Sequence, residues 1–158
     1  MGYWGVNIFE NDAILDELWD IEQILGVSKL YPVSVEAWGP DKYKAIISSI
    51  RNISKNPKKL VARLKCKIAE YDGSHFGMAF ASIWITTGVK IPEELGSLFL
   101  KSCDADQWAS EFDEPNKRTA AIDDLRQKIK LNMFDVSVSC MSVESEGLFA
   151  KILSGMHK

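Results

Sequence analysis

Three carboxylates, Asp12, Asp16 and Asp20, recur every four residues near the start of the chain, with Glu17 between them. On a helix this spacing sets the three along one side. Such a ridge attracts cations. A hard metal ion, however, takes six or more oxygens wrapped around it, which a straight row of side chains does not provide. The ridge therefore reads as a solvated acidic face or as a contact surface for a basic partner. Asp12, Asp16, Glu17 and Asp20 are the candidate contact residues.

Elsewhere the residue types that carry chemistry are scattered. Gly73-Ser74-His75-Phe76-Gly77 brings a hydroxyl beside an imidazole, but it is not a Gly-x-Ser-x-Gly elbow, and a helix cap at Ser74 is the simpler reading. Cys66, Cys103 and Cys140 are widely spaced and odd in number, which implies no disulfide framework and fits three buried structural thiols. His75 and His157 are the two histidines, and neither stands at ligand spacing from a cysteine. The sequence has no phosphate-cradling glycine loop and no His-Glu-x-x-His. The expectation is no catalytic residue, no metal and no cofactor: not an enzyme, but a protein that binds something.

Two further features bear on binding. From Lys42 to Lys67 the charge is almost wholly positive, carried by Lys42, Lys44, Arg51, Lys55, Lys58, Lys59, Arg63, Lys65 and Lys67. Phosphate contacts are conceivable there, yet Tyr43 is the one aromatic residue in the stretch, and it belongs to an apolar stripe. Solvated helix faces, some complementing the acidic first helix, are the leading reading, and nucleic-acid binding is the alternative. The chain also holds five tryptophans. Trp19 and Trp84 are expected in the core. Trp38, beside Gly39-Pro40, is the candidate for partial exposure and so for an interface anchor, although a packing role is the leading reading for it.

The elements that must position these residues are mostly helical. Ile14, Leu18, Ile21 and Leu25 form a helical stripe that begins after Asn11 or Asp12 and ends at Gly26. An irregular connection over 27–39 should follow. Pro40 opens a helix with Tyr43, Ile46, Ile47, Ile50 and Ile53 inward, and Asn56-Pro57 opens another with Leu60, Val61, Leu64 and Ile68 inward. Phe76 to Ile85 is apolar or small all round and marks a central buried helix closed by Gly88. Pro92 opens a fifth helix with Leu95, Leu98 and Phe99 inward. Asp104 and Gln107 resemble a capping box for a short helix bearing Trp108. A longer helix begins at Arg118, with Ile122, Leu125, Ile129 and Met133 inward. Phe134, Val136, Val138 and Cys140 alternate like a strand, and Ser142 caps a terminal helix. At the other end, Trp4, Val6 and Ile8 alternate in a short extended arm.

The predicted fold is mainly α: a single-domain bundle of seven or eight helices with that arm and room for one minor strand pair. The domain spans 1–158, and 136–158 reads either as part of it or as a C-terminal extension. A chain of 158 residues, 46% hydrophobic and 26% charged, can bury a core. Its net charge of -3 and pI near 5.4 do not suggest a nucleic-acid or membrane-surface binder. Phe76 to Ile85 is too short for a bilayer, and the first residues lack a signal-peptide pattern, so a cytoplasmic protein is expected.

The opening Met1-Gly2-Tyr3-Trp4-Gly5-Val6-Asn7-Ile8-Phe9-Glu10-Asn11-Asp12 resembles the start of a bacterial family classed as a domain of unknown function. Gly2, Trp4, Gly5, Phe9, Asn11 and Asp12 carry the likeness, and Trp108, Arg118 and Leu125 are compatible with that family's C-terminal half. The likeness implies no catalytic residues. Small acidic domains of this kind look similar to immunity proteins of bacterial toxin systems, which plug a cognate toxin in the cytoplasm. The implied partner is a toxin domain, such as a nuclease with a basic groove, met through Asp12, Asp16, Glu17, Asp20 and Trp38.

Overall fold

The run from Phe76 to Ile85 offers water no polar face, so the fold must wrap it on every side, and it does. The computed structural model describes residues 12–69, 73–106 and 117–134. Six helices lie among them: α1 (Asp12–Leu25), α2 (Val35–Lys55), α3 (Lys58–Ala69), α4 (Gly73–Thr87), α5 (Glu93–Asp104) and α6 (Lys117–Phe134). Helix α4 packs against all five others. Phe76, Met78, Phe80, Ile83 and Trp84 are completely buried. Phe80 stacks on Phe99 of α5 at 6.3 Å between ring centroids, and Trp84 meets Phe99 edge-on at 6.2 Å.

The helical stripes fold as their spacing implies, except that Ile47 of α2, expected inward, lines a hollow on the surface instead. Ile14, Leu18, Ile21 and Leu25 of α1 are buried, as are Ile46 and Ile50 of α2 and Leu60, Val61 and Leu64 of α3. Leu95, Leu98 and Phe99 of α5 and Ile122, Leu125, Ile129 and Met133 of α6 complete the core. Glycine lets two helix pairs approach closely. A Cβ on Gly77 would overlap the Ser102 side chain of α5, and one on Gly96 would overlap Met133 of α6. Gly88 closes α4 in the left-handed region at φ 72°, where glycine carries no steric cost.

Polar groups that the stripes do not reveal fasten the ends. The buried Asn132 of α6 reaches the α4–α5 connection: its Oδ1 accepts from the Ile91 amide at 2.6 Å and its Nδ2 donates to the Val89 carbonyl at 3.1 Å. Trp84 Nε1 donates to the same Val89 carbonyl. The Arg118 guanidinium, near the start of α6, donates to both carboxylate oxygens of Asp106, just past α5. Their side chains are 2% and 1% exposed.

Several expectations need correction. No strand occurs among the described residues, and Phe134, expected to begin one, is the last residue of α6. Asp104 is the last residue of α5 and pairs with Arg126 of α6 at 2.9 Å, while Gln107, its expected capping partner, lies outside the described residues. Asn56 closes α2 through its own amide, bonded to the Ile53 carbonyl, and the Pro57 carbonyl accepts the amide of Val61 at the start of α3. Cys103 is buried as expected, but Cys66 is exposed on α3. The N-terminal arm, Asn11, the Trp108 helix, the 136–140 run, Cys140 and the terminal helix lie outside the described residues, as does the Ser74 side chain. No described helix is long and apolar enough to cross a membrane.

Candidate interaction surface

The acidic ridge divides on the folded helix. Four residues advance a helix by about 400°, so each successive Asp is turned about 40° from the last. By Asp20 the drift has carried the carboxylate round to face α3. There the Arg63 guanidinium donates to Asp20 at 2.7 Å, and Lys67 lies 3.3 Å from Asp20 and 3.1 Å from Glu17. The Lys67 ammonium also stands 5.6 Å above the Phe76 ring. Lys67, expected on the outer face of its helix, is therefore mostly covered and joins α1 to α3.

The protonation of this cluster follows from its geometry. Burial works to raise the Asp20 carboxyl, but its hydrogen bonds and charge contacts with Arg63 and Lys67 together outweigh burial and hold it below the ordinary value. Burial likewise works to lower the Lys67 ammonium, yet Glu17 and Asp20 hold it above the ordinary value. Both groups stay charged over the middle of the pH range. Glu17 and Asp20 thus face a cationic helix of their own chain, while Asp16 remains exposed to solvent. Asp12 is the first residue of α1, and its side chain lies outside the described residues.

Of the two tryptophans, Trp38 takes the packing role, and Trp19 is not in the core expected of it. Trp38 is 6% exposed. It sits in a single helical turn, 35–38, that Ser34 caps by accepting the Ala37 amide at 3.0 Å. Gly39 breaks the turn at φ 79°, ψ 167°, and the helix resumes from Pro40. This left-handed step, which glycine adopts freely, accompanies an inward-folded indole. Trp38 Nε1 donates to the Leu30 carbonyl at 2.7 Å, and its ring stacks on Tyr43 at 6.4 Å. Trp38 is a packing residue and not an exposed anchor.

Trp19 is 65% exposed, against the expectation of burial. The sequence held the signal. At about 100° per residue, Trp19 points roughly 130° away from the centre of the Ile14-Leu18-Ile21-Leu25 stripe. Asp16 and Gln23 share its side of α1, and both are exposed. A large indole framed by an acid and an amide thus faces outward at the middle of the first helix.

A second surface lies where α1, α2 and α3 meet. A cleft of about 440 Å³ has Ile24, Ile53 and Leu60 as its apolar floor and Asn52, Lys59 and Arg63 at its edge. Asn52 also lines a hollow of about 410 Å³ along α2, with Lys44, Arg51 and Lys55. Lys44, Arg51, Lys55 and Lys59 make no ion pair among the described residues. Of the other cations in the basic stretch, Lys42 donates to the Lys29 carbonyl and Lys65 approaches Glu94 at 3.8 Å. No group of three or more His, Cys, Asp or Glu side chains among the described residues is placed to hold a metal ion. His75 is buried on α4.

Comparison finds no matching family model, no matching curated protein and no matching solved structure.

Proposed function

We propose that this chain is a non-catalytic protein-binding domain, and that it neutralises a bacterial toxin domain in the cytoplasm by covering its working surface. The observation that carries the reading is Trp19, a large apolar side chain held in water on a helix whose apolar stripe is otherwise buried. Burying such an indole against a partner releases a large apolar area, which is why tryptophan anchors interfaces so often. Asp16 beside it gives the contact a negative rim that would speed encounter with a basic partner. The toxin assignment rests on the likeness of the opening residues to its family and on the association of small acidic domains with immunity.

The test is co-expression with toxin domains encoded beside the gene, scoring growth rescue and complex formation. Rescue and a stable complex are expected. Trp19→Ala should weaken the complex by about 2 kcal/mol or more, and Asp16→Lys should mainly slow association. Failure to bind every neighbouring candidate, with salt-dependent gel shifts on nucleic acid, would favour the regulator reading built on residues 42–67. Arg63 and Lys67 are drawn toward α1 and the two hollows have no aromatic lining, which leaves that reading fewer contacts than its charge implies.

A further inference from the structure

We infer that Trp19 and Tyr31 together form a two-ring docking surface for an arginine side chain of the partner protein, with Asp16 and Glu22 as its counter-charges. The inference rests on the reading of Trp19 as a protein-binding anchor and names what that anchor receives. Trp19 and Tyr31 are the two large hydrophobic side chains exposed among the described residues, at 65% and 46%. They belong to different elements, α1 and the α1–α2 connection, and one bond draws those elements together: the Leu30 amide donates to Glu22 Oε1 at 3.0 Å. Glu22 stands three residues beyond Trp19 on α1, and Tyr31 directly follows Leu30. Leu30 is buried and Tyr31 is turned to water, so the connection presents a phenol ring outward on the flank of α1 that Glu22 occupies. Neither ring packs on another aromatic among the described residues.

Helical geometry sorts the charges. Glu17 and Asp20 leave the buried stripe of α1 on one side, where Arg63 and Lys67 meet them. Glu22 leaves it on the other side, and Asp16 and Glu22 flank Trp19 at about 60° to either hand. Helix α1 carries no lysine or arginine, and neither Asp16 nor Glu22 forms an ion pair among the described residues. Glu22 spends one oxygen on the Leu30 amide and keeps the other for a ligand. Aromatic faces beside unneutralised carboxylates attract a cation. A guanidinium suits both at once, because it is planar and weakly hydrated: its face stacks on a ring while its edge donates to a carboxylate. An aliphatic side chain would cover the rings but remove water from Asp16 and Glu22 without replacing it. Lys29, two residues before Tyr31 and exposed, is the nearest described cation in sequence on the connection.

Nuclear magnetic resonance on the whole chain tests this through the Trp19 indole N–H signal, assigned with Trp19→Phe. The probes are three short glycine–serine peptides bearing two arginines, two lysines or two citrullines. The arginine peptide should shift the signal saturably and bind about fivefold or more tightly than the citrulline peptide, with lysine between them. Tyr31→Ala should weaken it about threefold or more, and Tyr31→Phe should not. Glu22→Gln keeps an acceptor for the Leu30 amide and removes the charge, and should also weaken binding. Lys29→Asn should tighten it, and Lys101→Glu on α5 should leave it unchanged. No saturable shift with the arginine peptide would overturn the proposal, as would equal binding of citrulline or indifference to both Tyr31→Ala and Glu22→Gln. Arginine binding without any toxin complex would sink the toxin reading alone. A toxin complex that needs Trp19 but neither Tyr31 nor the Glu22 charge would sink this inference alone.

Discussion

Asp20 and Lys67 hold each other charged, and the pH range over which they help the fold follows from the direction of each shift. The Asp20 carboxyl lies below its ordinary value of 3.8, so the folded state favours the ionised form. Its contribution is complete above about pH 4 and is lost as pH falls through the lower folded-state value. The Lys67 ammonium lies above its ordinary value of 10.5, so its contribution is complete below that value and is lost as pH rises through the higher one. Lys67→Ala should therefore cost about 1 kcal/mol at neutral pH, with the deficit shrinking at both extremes. Melting curves from pH 2.5 to 11.5 measure it, and a pH-independent deficit would mean that Lys67 acts through packing on Phe76. The tryptophans supply the companion test. Trp38→Ala removes a buried ring and strands the Leu30 carbonyl, a loss of about 3–5 kcal/mol, while Trp19→Ala should change stability by less than about 0.5 kcal/mol. Chemical denaturation of the two variants side by side decides it. The sequence misplaced Trp19 and left Trp38 divided between packing and exposure. Proximity to glycine and proline suggested exposure for Trp38, although the same Gly39 permits the turn that accompanies its burial, and size suggested burial for Trp19 although its helical angle pointed outward.

At the scale of elements, the inward stripes were readable because each helix has to bury one face, and the 3.6-residue period records which. What could not be read was how helix ends are fastened, since that depends on which polar side chains meet across the chain. Arg118 and Asp106 are twelve residues apart, and no local pattern announces that they form a buried pair between the end of α5 and the start of α6. Removing one partner takes from the other a counter-charge that it meets inside the fold. Asp106→Ala should accordingly destabilise by about 3–5 kcal/mol, whereas replacing both residues with apolar ones of similar volume should restore much of the loss. Urea titration of the single and double variants measures the coupling. Equal instability of the two would show that the pair is not the unit. Asn132 escaped notice for a related reason: it lies one position from the Ile129–Met133 stripe and looks like a surface residue until the Val89–Ile91 connection is laid beside it.

For the molecule as a whole, the mainly helical class and the central place of α4 follow from a run of residues without a polar face, a signal that needs no tertiary information. The candidate site was legible in its ingredients and not in its assignment. The acids and cations were visible, but helical drift decides that Asp20 faces α3 while Asp16 faces water, and the cleft among Ile24, Ile53 and Leu60 exists only once three helices have met. The two described thiols add something of a different kind. Cys66 is exposed, whereas Cys103 is buried between α5 and its neighbours, where burial pushes its thiol up to about 12 and keeps it protonated. With Cys140 replaced by serine, a thiol-reactive dye should therefore label Cys66 in a fast phase and reach Cys103 only when α5 swings open. The chain thus carries its own clock: the slow phase of labelling times the breathing of the interior under native conditions, and a bound partner that steadied the bundle would lengthen it without touching either sulfur.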